Sequence, residues 1–254
     1  MIKRFFITIY SFLFIGIGVV IFIPIVILLF FISLLGLRSI STILMYKVVQ
    51  CASRLIVFFI GFKLFVSGKE NIPPLGKTGV CFVCNHSGIL DILLILITVD
   101  RPVGFISKKE IMFVPFINLW LILLGGIFMD RNNPRKSLDA INRGVKKIID
   151  GHSMVIFPEG TRSRGQGLLP FRTGSFRLAT AAGADIVPVA ISGSYDALEK
   201  TGWVYPGPVY VSFGKAIKTA QPEHGESRQY FSDQARGEIA RLLKAQEEAR
   251  NALS

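Results

Sequence analysis

The hydrophobic positions divide the chain into two parts. Residues 5–37 form an apolar run of 33 residues without a charged side chain, which exceeds the roughly 20 residues needed to cross a hydrocarbon core. A second apolar stretch, residues 43–65, carries only Lys47, Arg54 and Lys63 as charges. The first run is too long for a cleaved signal peptide, and no small-x-small cleavage pattern follows it. The pattern therefore predicts that this part of the chain attaches to a membrane.

Two arrangements of this apolar region fit the sequence. A straight helix over residues 5–37 would be about 50 Å long at about 1.5 Å per residue, which is more than one untilted span requires. Pro24 divides the run. One interpretation is a single span followed by an interfacial helix, and the other is a two-helix hairpin that enters one leaflet. Basic residues stand at both ends, with Arg4 before the run and Arg38 after it. Because both ends are basic, the charges do not determine the orientation of a single span across the membrane. Basic residues at both ends fit the hairpin better.

From residue 63 onward, short β-branched or aromatic runs alternate with segments of helical periodicity. The predicted strands are Lys63–Ser67, Gly79–Cys84, Val103–Ser107, Gly126–Met129, Met154–Phe157, Ile186–Ile191 and Val209–Phe213. The predicted helices are Ile89–Thr98, Lys109–Leu124 with a break near Pro115, Pro134–Asp150, Gly174–Ala182 and Ser227–Leu253. This alternation predicts an α/β fold with a mixed, largely parallel sheet flanked by helices. We expect membrane-anchoring helices over residues 1–66 and an α/β domain with a C-terminal helix over residues 67–254.

The formal net charge of +12 is large for 254 residues. Between Arg131 and Arg177 the chain has ten Lys or Arg residues against three acidic ones. A basic surface on a membrane-attached protein attracts anionic lipid headgroups and phosphorylated substrates. The chain has neither the aromatic-and-basic pattern of an RNA-recognition strand nor zinc-finger spacing, so we expect no nucleic-acid partner.

The cysteines and histidines predict neither a disulfide framework nor a metal site. Cys81 and Cys84 lie in one strand-like run, where positions i and i+3 point to opposite faces, so we expect packed side chains rather than a redox pair. Absence of a disulfide framework fits a reducing compartment such as the cytoplasmic side. The three histidines lack metal-ligand spacing, and we expect His152 and His224 to be solvent-exposed and without a catalytic role.

Residues 85–91, NHSGILD, place a histidine five positions before an aspartate, directly after a predicted strand. On a continuous helix these positions lie about 140° apart, by the usual 3.6 residues per turn. They meet only if the chain turns between them. Ser87 and Gly88 are typical of helix starts, so Asp91 would lie near the third or fourth helical position and reach back towards His86. The segment predicts either a His–Asp dyad at a strand-to-helix corner or a capped helix with an incidental histidine.

Three further polar positions follow predicted strands: Lys108, Arg131 and Glu159. Because the carboxyl ends of parallel strands meet at one edge of a sheet, we expect them to converge with His86. Arg162 adds a guanidinium fork suited to phosphate oxygens. The chain has no phosphate-binding loop, nucleophile elbow or zinc-binding histidine pair of the recognised types.

Four segments in order resemble the conserved blocks of the glycerolipid acyltransferases, and among these the bacterial 1-acyl-glycerol-3-phosphate (lysophosphatidic acid) acyltransferases. The segments are Asn85-His86-x4-Asp91, Gly126-Ile127-Phe128-Met129-Asp130-Arg131, Phe157-Pro158-Glu159-Gly160-Thr161-Arg162-Ser163 and Val187-Pro188-Val189-Ala190-Ile191. The resemblance covers roughly residues 66–218, with a two-helix membrane motif ahead of it. Ser87 and Gly88 stand where other members often carry bulkier residues, and the first apolar stretch is unusually long.

The resemblance implies transfer of a fatty acyl group from acyl-CoA or acyl carrier protein to lysophosphatidic acid, which makes phosphatidic acid for phospholipid biosynthesis. It implies His86 as general base, with Asp91 orienting the imidazole. Backbone N–H groups near residues 157–160, or at the helix start after His86, would hold the oxyanion. The expected substrate-binding residues are Glu159, Gly160, Arg131 and Arg162, with Lys108, Lys109 and Arg172 as further phosphate ligands.

The same resemblance implies no cofactor and no metal, a location in the membrane at the cytoplasmic face of the cell inner membrane, and contact with anionic membrane lipids. Three other functions also fit the sequence. They are an acyltransferase for another lyso-lipid acceptor, a non-catalytic membrane protein that binds anionic lipids, and a lipid hydrolase that uses water as acceptor.

Overall fold

The computed structural model describes residues 2–219 and 227–252, and the predicted exposed histidine His224 lies outside these ranges. The chain begins with two long helices, α1 (Ile2–Leu34) and α2 (Arg38–Ile60), which pack against each other across a short turn. By length and composition both are apolar enough to cross a membrane, with mean hydropathies of 3.2 and 1.8. Pro24 lies inside α1, and the helix continues through it. The prediction that Pro24 divides the apolar run is therefore wrong. A proline costs an interior helix about 3 kcal/mol, and the many other turns of so long a helix outweigh that cost.

Hydrogen bonds connect the two-helix region, α1 and α2, to one face of the rest of the protein. Val204 donates its N–H to Thr8 Oγ1 of α1 over 2.9 Å. Thr42 Oγ1 of α2 donates to the carbonyl of Leu123 over 2.8 Å. Gln50 Nε2, further along α2, donates to another backbone carbonyl of the domain over 3.0 Å. Both helices therefore lie against the domain rather than projecting from it.

Seven strands form one sheet in the order β1-β7-β6-β2-β5-β3-β4. They are β1 (Lys63–Ser67), β2 (Cys81–Cys84), β3 (Val103–Lys108), β4 (Ile127–Met129), β5 (Ser153–Ile156), β6 (Ile186–Ser192) and β7 (Pro208–Phe213). Adjacent strands from β6 to β4 pair in parallel, β7 is antiparallel to β6, and β1 is parallel to β7. The predicted α/β fold with a mixed, largely parallel sheet is confirmed. The carboxyl ends of β2 to β6 consequently share one edge.

Helices cover both faces of this sheet. They are α3 (Asp91–Thr98), α4 (Ile117–Leu123), α5 (Pro134–Ile149), α6 (Arg177–Thr180) and α7 (Arg228–Asn251). The predicted helix 109–124 is interrupted around Pro115 as expected, with a 3-10 turn over Lys109–Phe113 before α4. The predicted helix 174–182 is shorter, because a 3-10 turn over Thr173–Phe176 precedes α6. The expected domain division at residue 66 falls within β1, which already belongs to the sheet.

Side chains alternate along the strands between two hydrophobic layers. Phe82, Cys84 and Val155 pack towards α2, α3 and α4, whereas Cys81 and Met154 pack towards α5, α6 and α7. Both cysteines are fully buried and free, and burial raises the pKa of the Cys81 thiol to about 12. The interpretation of these cysteines as packed side chains is therefore confirmed.

Candidate active site

The site begins where β2 ends at Cys84. The side chain of the next residue, Asn85, is buried and forms two hydrogen bonds with the backbone of Ile191 on β6. Its Nδ2 donates to the carbonyl over 2.9 Å, and its Oδ1 accepts the N–H over 2.8 Å. This pair of bonds fixes the point at which the chain leaves the sheet. His86 therefore stands at the shared carboxyl edge of the strands, on a rigid support.

His86 and Asp91 are in direct contact. The distance between His86 Nδ1 and Asp91 Oδ2 is 2.8 Å, and the Asp91 side chain is completely buried while that of His86 is 16% exposed. Because a carboxylate oxygen accepts hydrogen bonds, Nδ1 carries the proton and Nε2 keeps a free lone pair. The arrangement is chemically suited to proton abstraction at Nε2.

The Asp91 carboxylate accepts several more hydrogen bonds. The N–H groups of Ser87 and Gly88 donate to Oδ2 over 2.7 and 3.0 Å, and the hydroxyl of Ser194 donates to Oδ1. Helix α3 begins at Asp91, two or three residues later than the sequence predicted. The carboxylate nevertheless reaches back over the turn as expected. Such a set of donors fixes the position and orientation of the carboxylate.

Phe157 and Glu159, at the end of β5, hold the histidine from the other side. The Phe157 ring stacks on the imidazole with centroids 4.1 Å apart. Glu159 Oε1 accepts the backbone N–H of His86 over 2.8 Å, and Oε2 accepts that of Leu169 over 3.3 Å. Burial raises the pKa of the Glu159 carboxyl, although both N–H donors oppose the shift. Its contacts are with backbone groups, so it fixes the position of the histidine main chain.

Gly160, Arg131 and Arg172 form a second part of the site. Arg131 Nη1 donates to the Gly160 carbonyl, and a Cβ atom on Gly160 would lie 2.7 Å from Arg172 Nε. Gly160 also has φ of +72°, a conformation that glycine adopts without strain. Burial lowers the pKa of the Arg131 guanidinium, and the charge of Arg172 lowers it further. Two close guanidinium groups form a place where a phosphate would be bound favourably.

Arg131 also has an unused donor. Its Nε is buried and has no hydrogen-bond partner among the residues that the structure describes. A buried donor without a partner costs about 1–3 kcal/mol.

Arg162 lies in a different place. Its Nη1 pairs with Glu199 Oε1, while Glu199 Oε2 accepts the N–H of Ile89. A Cβ atom on Gly88 would lie 2.9 Å from the same Oε2 and 3.1 Å from the backbone N of Tyr195. The loop after β6 thus packs closely on the turn between His86 and α3. Glycine at position 88 leaves room for it.

The lysines that follow β3 do not join the histidine. Lys108 is exposed, and Lys109 Nζ pairs with Asp130 Oδ2 over 2.9 Å. No hydrogen bond or ion pair connects either lysine to His86, Asp91 or Glu159 within residues 2–219 and 227–252. The expected convergence therefore holds for Glu159 but not for these lysines.

Carboxylates already accept the first three N–H groups after His86. Those of Ser87 and Gly88 point to Asp91 and that of Ile89 points to Glu199. At the other corner, the N–H of Gly160 donates to the carbonyl of Phe157 over 3.0 Å. These donors are therefore not available to an oxyanion, and the oxyanion contact at either corner stays a prediction.

An apolar cavity of about 480 Å³ lies between α1, α2 and α4. Its wall includes Leu93, two residues beyond Asp91, together with Phe116 just before α4 and Trp120 within it. Ser53 Oγ in this wall is buried without a hydrogen-bond partner among the described residues. The cavity has the size and apolar character of a small-molecule site.

Three residues of the site were not identified from the sequence: Phe157 as the stacking ring, Ser194 as a donor to Asp91, and Glu199 as the partner of Arg162. Ser194 follows β6, so the rule that located His86 and Glu159 at strand ends would have found it. Phe157 belongs to the segment 157–163, one of the four that resemble the acyltransferase family. Glu199 has no comparable signal, because it lies in a loop well beyond its strand.

Comparisons with known proteins agree with this geometry. The family model described as Acyltransferase matches residues 63–192, about half of the chain. The 1-acyl-sn-glycerol-3-phosphate acyltransferase of Borreliella burgdorferi is 33% identical over 148 residues, which are 58% of this chain and 58% of that protein. The protein of the same description from Cocos nucifera is 30% identical over 179 residues, 70% of this chain and 57% of that protein.

The chain thus aligns with little more than half of the length of these relatives. It is also similar in fold to the crystal structure of the 1-acyl-sn-glycerophosphate (LPA) acyltransferase PlsC from Thermotoga maritima. The TM-score is 0.76 over 95% of this chain and 96% of that one, at 24% sequence identity. This similarity includes the helices at the start of the chain.

Proposed function

Because the chain belongs to the acyltransferase family, we propose that it transfers a fatty acyl group from an acyl thioester to the free hydroxyl of 1-acyl-glycerol-3-phosphate, with phosphatidic acid as product. The observation that carries this proposal is the 2.8 Å contact between His86 Nδ1 and the buried Asp91 carboxylate. It leaves Nε2 as a base at the shared carboxyl edge of the strands. Arg131 and Arg172 lie against Gly160, the residue that follows Glu159.

In the proposed mechanism, His86 Nε2 removes the proton from the acceptor hydroxyl while its oxygen attacks the thioester carbonyl carbon. A new C–O bond forms, the tetrahedral intermediate collapses, and the C–S bond breaks. The imidazolium then returns its proton to the leaving thiolate. Asp91 keeps the ring in the required tautomer and stabilises the transient positive charge. The proton balance therefore closes between acceptor, histidine and leaving thiol.

Direct transfer fits the surroundings of Ser87. Its hydroxyl lies 2.8 Å from that of Ser194 and 3.4 Å from Asp91 Oδ1, rather than against the imidazole. A serine nucleophile is typically activated by an adjacent imidazole, and His86 is not among the hydrogen-bond partners of the Ser87 hydroxyl in the described part of the chain. A burst of thiol release without acceptor would contradict direct transfer.

For the acceptor phosphate, Arg131 and Arg172 provide one binding position at Gly160. Arg162 provides another guanidinium, which pairs with Glu199. We assign phosphate binding to these residues and treat Glu159 as a positioning residue for His86. Lys108 and Lys109 belong to the wider basic surface.

The acyl chain would occupy the apolar cavity between α1, α2 and α4, which extends from Leu93. Thr8 near one end of α1 and Thr42 near the start of α2 both contact the same domain. Because α1 and α2 lie along one face of that domain, the two-helix region would enter a single leaflet rather than carry the chain across. This supports attachment at one membrane face, which we take to be the cytoplasmic one.

An acceptor panel tests the proposed function. Purified full-length protein is incubated with a labelled acyl-CoA or acyl carrier protein thioester and with several lyso-lipids that differ only in headgroup. We expect phosphatidic acid from 1-acyl-glycerol-3-phosphate and at least about tenfold less product from lyso-lipids whose phosphate carries a further substituent, since these lose charge on the phosphate. Preference for another headgroup would replace the acceptor assignment. Release of free fatty acid without acceptor would indicate a hydrolase, and absence of turnover with both donors would contradict an enzyme.

Replacing Arg162 by alanine is expected to raise the KM for the phosphorylated acceptor by about 10- to 100-fold, since a hydrogen bond to a charged group contributes about 1.5–3 kcal/mol. The KM for the thioester should change little. Initial rates with each substrate varied in turn measure both values. The matched control is Arg241→Ala, which removes a guanidinium paired with Glu238 on α7. A rise confined to the thioester KM would reverse the assignment.

A further inference from the structure

A second cavity, of about 490 Å³, lies along the edge strand β4, between the N-terminus of α2 and helix α5. We call it the β4 groove. Its wall contains two acidic residues, Asp130 and Asp139, and five basic ones: Arg38, Lys109, Lys136, Arg143 and Lys147. Neither His86 nor Asp91 nor Glu159 lines it, so it is distinct from the candidate active site.

Most of the positive charge in the β4 groove is not balanced. Lys109 pairs with Asp130, but no carboxylate lies within ion-pair distance of the other four cations in the part of the chain that the structure describes. Burial lowers the pKa of the Lys147 ammonium, and the nearby charge of Arg38 lowers it further. Two cations from different elements therefore repel each other at one point, where an anion would relieve the repulsion.

The other wall of the β4 groove is apolar. Met112, Ile122 and Phe128 line it. Exposed apolar residues continue beyond it: Phe113 is 75% exposed, and Leu35 in the turn before Arg38 is 78% exposed. Arg38 is the first residue of α2, directly after that apolar turn. The groove thus lies where a surface suited to hydrocarbon meets a surface suited to phosphate.

We propose that the β4 groove binds the headgroup phosphate of an anionic phospholipid of the bilayer, with Arg38, Arg143 and Lys147 as its ligands. Basic pockets beside membrane-embedded helices bind such headgroups. A lipid satisfies both walls, because its phosphate meets the cations while its acyl chains lie against the apolar residues. An acidic soluble protein would neutralise the charge but would also have to cover the exposed apolar turn. Binding at this place would set how the domain is tilted on the membrane.

Titration of the full-length protein in micelles of a neutral detergent tests the proposal. Phosphatidylglycerol or phosphatidylcholine with the same acyl chains is added in steps, and the melting temperature is followed by intrinsic fluorescence. We expect phosphatidylglycerol alone to raise the melting temperature of the unmodified protein. In the Arg143→Gln/Lys147→Gln variant the half-saturating lipid fraction should rise about tenfold or more. The control Lys63→Gln/Lys244→Gln removes two exposed charges that do not line the groove, one of them on the opposite edge strand β1, and should behave as the unmodified protein.

Four outcomes would overturn the proposal. They are an equal response to phosphatidylcholine, an equal shift with inorganic phosphate at the same concentration, an unchanged response in the Arg143/Lys147 variant, and a response to an acidic carrier protein but not to phosphatidylglycerol. The second would indicate a free-phosphate site and the last a protein partner. Because the readout is thermal stability rather than acyl transfer, each outcome leaves the proposed enzymatic function untouched.

Discussion

Replacing His86 by alanine should lower kcat for acyl transfer by about 10²- to 10⁴-fold, the range typical of a lost general base. In the proposed reaction, the imidazole is the group whose Nε2 receives the acceptor proton. Nδ1 is engaged with Asp91 and one ring face is covered by Phe157. Without the ring, Asp91 still accepts hydrogen bonds from Ser87, Gly88 and Ser194, and the backbone N–H of His86 still bonds to Glu159, so the fold should persist. Circular dichroism and membrane association should therefore remain unchanged.

The control for this variant is His152→Ala, which removes an exposed imidazole from the turn before β5. Phosphatidic acid formation is measured for both variants at saturating substrates. If His86→Ala kept more than about a tenth of the activity, the general-base assignment would fail. In that case the His–Asp contact would be a structural cap on α3, the other interpretation that the sequence left open.

Replacing Asp91 by asparagine should lower kcat by about 10³- to 10⁴-fold, by analogy with the loss of the orienting carboxylate in hydrolase triads. Asparagine has the same shape but only one acceptor oxygen. Asp91 accepts bonds from His86, from two backbone N–H groups and from Ser194. An amide NH₂ in this position would face at least one donor. The imidazole would then lose its fixed tautomer, and KM should change much less than kcat.

Stability separates this variant from His86→Ala. Breaking a buried charged network costs about 3–5 kcal/mol, so the melting temperature of Asp91→Asn should fall, whereas Asp100→Asn on the exposed surface should leave it unchanged. Kinetics are measured below the melting transition. A full kcat with a lowered melting temperature would show that Asp91 holds the turn but does not serve the reaction.

Much of the fold could be predicted from the sequence because strands and helices differ in local periodicity. The predicted and observed bounds of β1 agree, and α5 begins at Pro134 as expected, with Asn133 accepting the N–H of Lys136. Predictions were weaker where local pattern and tertiary contacts compete. The segment after Arg172 has a helical sequence pattern, but in the structure it forms a 3-10 turn followed by only four residues of α-helix.

For the candidate site, the sequence was sufficient to place His86, Asp91 and Glu159 together, since strand order and strand polarity bring them to one edge. It did not show that Arg131 and Arg162 lie in separate places, one at Gly160 and the other beside Glu199. It also did not show that Lys109 turns towards the β4 groove. These outcomes depend on side-chain contacts between residues far apart in the chain.

The sequence by itself determined three features of this protein. They are an apolar N-terminal region, an α/β domain, and a histidine and an aspartate on either side of a strand-to-helix corner. Periodicity and residue type carry that information locally. Only the tertiary structure decided which partners complete the site. Asp91 is buried beneath Ser194, which is 103 residues further along the chain. Such contacts arise from how the loop after β6 packs on the turn after β2, and no local pattern encodes that packing.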